Sequence, residues 1–181
     1  MDFSKFKTSD WLKIGGAIGI LIFGFLNWVT VSYADDMFGS GYSYPAAKAF
    51  DFFWTGTLPW ILVIAVGVIT VLLSAGVVKA GSVPWSMILL IASGLSALLL
   101  IIRLVINPLE GKSLAESMGI EFGRGIGMYV STLAGIASAA GSVMAFTESG
   151  GNLKDLTDVN KLKGSFGQGG GNMPPPPPPG A

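Results

Sequence analysis

The residues able to do chemistry are few, and one stands in an unusual place. Arg103 lies inside the run LLIASGLSALLLIIRLVI (89–106), where every other side chain is apolar or small. The chain has neither histidine nor cysteine. Imidazole bases, thiol nucleophiles, disulfides and the usual zinc ligands are therefore excluded. Of the eleven carboxylates, those expected on the outer side are the pair Asp35-Asp36, which could touch a cation only weakly, and Asp51, Glu110, Glu116 and Glu121. No GxSxG, Walker loop or metal-ligand cluster occurs. GRGIG (123–127) has the glycine spacing of a phosphate loop, but it is expected to open a membrane helix without a preceding strand. No catalytic residue, cofactor or metal is predicted, and the chain is not expected to be an enzyme.

Arg103 has two structural readings and one functional one. It stands one turn before Asn107-Pro108, which should end its helix. Its stem can extend and place the guanidinium among the lipid headgroups. Alternatively it pairs with an acid of the flanking loops, Asp51 or one of Glu110, Glu116 and Glu121. A transport role would call for acids or bases deep in the membrane, and no Asp, Glu or Lys falls inside the spans predicted below. The other strongly polar residue in a predicted span is Asn27.

The elements that must hold these residues follow from composition. Hydrophobic residues make up 51% of the chain, charged residues 12%, and mean hydropathy is +0.63. Too little charge is present to cover a soluble domain of this size. Net charge is zero, so nothing draws the chain to nucleic acid. Apolar runs over 14–33, 58–78, 84–106 and 126–146 each supply roughly 20 residues, enough at about 1.5 Å per residue to cross a hydrocarbon core of about 30 Å. The predicted fold is an all-α integral membrane four-helix bundle over residues 1–146.

Basic residues orient it. Lys5, Lys7, Lys13, Lys79, Lys154, Lys161 and Lys163 fall on one side, seven of the eleven; Lys48, Arg103, Lys112 and Arg124 fall on the other. This places both termini in the cytoplasm. Trp11 and Trp85 at inner ends, and Trp28, Trp54 and Trp60 at outer ends, fit the same arrangement. Ser32 and Ala34 have the small size of a signal-peptidase site. The first run is long for a signal peptide and contains Asn27 and Trp28, so the first helix is expected to be retained.

Between the spans, ADDMFGSGYSYPAAKAFDFFWTGT (34–57) concentrates aromatics. Phe50, Phe53 and Trp54 have the spacing of one helical face, which predicts a short interfacial helix on the outer leaflet. Helix four carries Gly127, Ser131, Gly135 and Ala139 four residues apart, with Ala134, Ser138 and Ser142 beside them. Small residues so spaced allow backbones to approach in lipid, within the bundle or between copies in a homo-oligomer. Residues 147–166 have amphipathic spacing and predict a juxtamembrane segment. Residues 167–181 are a disordered Gly/Pro-rich tail, in which Pro174, Pro175, Pro176, Pro177, Pro178 and Pro179 favour a polyproline rod able to bind a protein partner.

The stretches FGFLNWVTV, AFDFFWTGTLPW and GRGIGMYVSTLAGI, with the proline-ending tail, resemble small four-span membrane proteins found widely in actinobacteria. The resemblance implies a four-span fold and no functional residue. The aromatic first loop also resembles that of claudin-like tetraspans, without their paired extracellular cysteines. The expected role is a scaffold or accessory subunit of the plasma membrane, in contact with the lipid bilayer. The alternative is a small transporter or channel component acting as an oligomer.

Overall fold

The computed structural model describes residues 6–33, 44–78, 83–106, 112–117 and 119–154. Asp35, Asp36, Glu110, the side chain of Glu116, the segment from Asp155 onward and the six prolines lie outside them. The elements in chain order are α1 (Thr8–Phe23), β1 (Val29–Tyr33), β2 (Tyr44–Ala47), α2 (Leu58–Ser74), α3 (Trp85–Ile106), α4 (Lys112–Ser117), β3 (Ile120–Arg124) and α5 (Ile126–Glu148). A 3-10 turn (Ala49–Asp51) and a π-helical turn (Phe53–Thr57) lead into α2.

Three stretches are long and apolar enough to cross a membrane: Phe53–Ser74, Trp85–Ile106 and Ile126–Glu148. The fourth long helix, α1, has 16 residues, about 24 Å at 1.5 Å per residue. The four close into a ring, α1 packing on α2 and α5, and α3 packing on the same two. Ile20, Val63, Leu100 and Met128, all at 0% exposure, pack together with Trp28 and Val29 at the sheet end of the ring. Met87, Leu90 and Phe146 form a smaller cluster toward the other end.

The expectation of an all-α chain is corrected by a three-stranded antiparallel sheet of order β2-β1-β3. The first helix does not reach Tyr33. It ends at Phe23, and Gly24 donates its N–H to Ile20 O. β-branched Val29, Thr30 and Val31 then suit an extended backbone better than a helix. Partners take up their hydrogen bonds on both sides: Val29 to Tyr33 pair with Arg124 to Ile120, and Val29 to Val31 pair with Ala47 to Tyr44 across a bulge. Trp28 is buried at the junction, its indole N–H donating to Phe23 O at 3.3 Å. The single helical face expected of Phe50, Phe53 and Trp54 is divided between two turns. Phe50 sits in the 3-10 turn against Phe25 and Trp60, while Phe53 and Trp54 sit in the π turn.

Candidate functional site

The sheet and the aromatic turns are fastened to the end of α3 by two arginines. Arg103, in the last turn of α3, is 1% exposed. Its guanidinium carbon lies 3.5 Å from the centre of the Phe52 ring. The planar cation lies on the negative face of the ring, a contact worth about 2 kcal/mol when desolvated. Among the described residues the ion pairs are Lys7–Glu148 and Lys13–Asp10, and Arg103 forms none with Asp51. The Asp51 carboxylate is exposed and accepts the Lys48 N–H at 2.7 Å, closing the 3-10 turn. Thus Asp51 positions Phe52, its neighbour in sequence, and Phe52 meets the cation.

Arg124, the last residue of β3, reaches back to α3. Its Nε donates to Leu104 O at 2.7 Å and its Nη2 to Val105 O at 3.1 Å. The last carbonyls of a helix lack partners within it, and a cation there also meets the negative end of the helix dipole. No local pattern announces this cap, since donor and acceptors are about 20 residues apart.

The GRGIG segment does follow a strand, contrary to the expectation, yet its glycines meet backbone and not phosphate. A Cβ on Gly125 would collide with Asn27 O, and one on Gly127 would lie 2.9 Å from both Asn27 O and Phe23 O. Gly125 N–H donates to Trp28 O and Gly127 N–H to Asn27 O. These amides at the start of α5 are consumed in joining it to Asn27 and Trp28, which link α1 to β1.

The other end of the bundle holds a charged cluster that sequence reading missed. Lys13 is 3% exposed, and its Nζ lies 3.0 Å from Asp10 Oδ1. Asp10 Oδ2 accepts Ser74 Oγ, at the end of α2, and the Lys7 N–H, each at 3.2 Å. Glu148, the last residue of α5, pairs with Lys7 at 3.3 Å and accepts Ser9 Oγ at 3.4 Å. Three helix ends are joined by these contacts. The available signal was the Asp10-x-x-Lys13 spacing, which sets acid and base on one helical face.

On α5, Gly127, Ser131 and Gly135 are buried and Ala139 is half-buried. A Cβ on Gly135 would lie 2.6 Å from Leu100 Cδ1 of α3. A Cβ on Gly16 of α1 would lie 2.6 Å from Ala134 O and 2.9 Å from Ser138 Cβ. The small side chains of α5 thus admit α1 and α3 closely. Ser142 and Thr132 turn their hydroxyls back to carbonyls four residues earlier on the same helix. No group of three or more potential metal ligands occurs among the described residues.

No protein-family model, no curated protein and no solved structure matches the chain.

Proposed function

We propose that the chain is a four-span plasma-membrane protein with both termini in the cytoplasm, acting as a non-enzymatic scaffold or accessory subunit of the cell envelope. In this reading α1 crosses as the fourth span, extended by exposed Phe25 and Leu26 beyond its last turn. The sheet and aromatic turns form a cap outside, and Lys7, Asp10, Lys13 and Glu148 lie at the cytoplasmic end. The observation that carries the reading is the way the polar groups are spent. Arg103, Arg124, Asp10 and Lys13 bind helix ends, turns and one another, while Ile20, Val63, Leu100 and Met128 close the sheet end of the ring with apolar side chains. The tail with Pro174 to Pro179 supplies the contact to a cytoplasmic protein partner.

Two measurements test it. The chain has no native cysteine, so Glu121→Cys on β3 and Asn152→Cys beyond α5 can be labelled separately with an impermeant maleimide on intact cells. Labelling at 121 alone is expected; labelling at 152 alone reverses the orientation. For the scaffold role, affinity purification in mild detergent should recover a protein partner with the full chain and lose it when residues 167–181 are removed. An ion or solute flux from the purified protein in liposomes would refute the non-transport reading.

A further inference from the structure

Segment 49–57 divides its aromatic side chains between two sides. Phe52 turns inward under Arg103. Phe53 and Trp54 turn outward, 58% and 71% exposed, and meet edge to face with centroids 5.2 Å apart. The backbone beneath them is braced. Gly56 and Thr57 both donate their N–H groups to Phe52 O, at 2.8 and 2.9 Å. A Cβ on Gly56 would collide with Ala49 O, so the 3-10 turn and the π turn cross without space between them. A flexible loop would fold such rings onto the protein; this one holds them away from it.

Their position identifies what covers them. Phe53 is the first residue of the apolar stretch that continues through α2, so the pair stands where that stretch leaves the hydrocarbon. The rings also continue a lipid-facing flank. Phe25 and Phe50 lie 5.1 Å apart, Phe50 and Trp60 5.1 Å apart, and exposed Ile22 and Ile61 follow on α1 and α2. Aromatic side chains settle at the boundary between acyl chains and headgroups, with an apolar body in one and a polar edge toward the other.

We propose that Phe53 and Trp54 form a rigid anchor inserted into the leaflet on the sheet side of the membrane, at the acyl–headgroup boundary, and that the Arg103–Phe52 stack sets its depth. The partner is phospholipid. The inference rests on the membrane-embedded reading above and adds to it the height at which the cap rides on the bilayer.

The test uses nitroxide labels on single cysteines in the full chain, reconstituted in phosphatidylcholine vesicles. Trp54→Cys reports the anchor, Leu98→Cys the exposed middle of α3, and Glu121→Cys the sheet. Collisions with oxygen, which partitions into lipid, are compared with collisions with a water-soluble nickel chelate. The oxygen-to-nickel ratio is expected to be highest at 98, and at 54 at least about threefold above that at 121. A ratio at 54 equal to that at 121, with 98 still in lipid, overturns the anchor and leaves the membrane reading standing. Nickel access at 98 overturns the membrane reading itself. A label at 54 shielded from both reagents overturns the lipid assignment in favour of a protein partner or a second copy. Phe52→Tyr should leave the depth at 54 unchanged, while Phe52→Leu should lower the ratio there about twofold with the spectrum at 121 intact. An unchanged ratio in Phe52→Leu overturns the role of the stack.

Discussion

Asp10→Asn should be among the most damaging single substitutions in the protein. Asp10 lies in the first turn of α1, and its two carboxylate oxygens are in separate use. Oδ1 faces Lys13 Nζ at 3.0 Å, and Oδ2 accepts Ser74 Oγ and the Lys7 N–H. An asparagine keeps one acceptor and loses the charge. Lys13 is then an unpaired ammonium at 3% exposure. Removing one member of a buried pair costs roughly 3–5 kcal/mol, because the remaining charge has surrendered its water without compensation. At roughly 2–4 °C per kcal/mol for a chain of this size, Tm in mild detergent should fall by roughly 6–20 °C. The double variant Asp10→Asn/Lys13→Met should recover most of that loss, since the stranded charge is gone and its apolar stem is kept. Lys7→Ala provides the contrast. Its pair with Glu148 has side chains 66% and 37% exposed, so its loss should cost under about 1 kcal/mol. A thermal scan of the four proteins in one detergent decides. The reasoning is refuted if Asp10→Asn melts within about 2 °C of the parent, or if the double variant is as unstable as the single one.

Arg103→Lys and Asp51→Asn should add within about 0.5 kcal/mol in a double-mutant cycle of detergent stability, because the two side chains contact different groups; strong coupling would show an ion pair between them. Gly135→Leu should cost about 1–3 kcal/mol or more by forcing side-chain atoms into Leu100, whereas Leu133→Ala, at an exposed position, should change the melting point little; equal tolerance of both would show that α5 does not pack on α3 through this face. Arg124→Gln should remove charged hydrogen bonds to Leu104 O and Val105 O worth about 1.5–3 kcal/mol each and speed amide exchange in β3, read by hydrogen–deuterium exchange; an unchanged exchange rate across 120–124 would refute the cap.

Helices α2, α3 and α5 were legible because their apolar runs are uninterrupted and their ends are marked. Pro59 suits the first turn of α2, and residues 84–106 and 126–146 stand within two residues of the observed helices. The end of α1 was not legible. FGFLNWVTVSY is as apolar as a helix would be, and what makes its second half a strand is pairing with 120–124, about 90 residues away. The start of α1 was missed for the opposite reason: TSDWLK looks like a polar approach to a span, yet Asp10 and Lys13 neutralise each other and go inside with it. At the candidate site, the sequence singled out Arg103 but not the Phe52 ring beneath it. Aromatic Phe52 was passed over because electrostatic reasoning looks first for carboxylates, and the nearby Asp51 was already engaged by the Lys48 amide.

The central position of β1 bears on how the chain is made. This strand leaves the ribosome early, directly after α1, but one of its two neighbours, β3, immediately precedes α5. Until residues 120–148 have been synthesised, Val29 to Tyr33 lack one ladder of hydrogen bonds, and Gly16 and Lys13 of α1 lack the α5 backbone that packs beside them. The α1–β1 segment therefore completes its contacts with β3 and α5 only after those late residues are made, and closing such distant contacts is slow. Over that interval its open strand edge and glycine-lined flank are vulnerable to pairing with a neighbouring nascent copy. A truncation after Ile106 should be held by insertion machinery or degraded, because the ring of helices has no partial form in which α1 is closed.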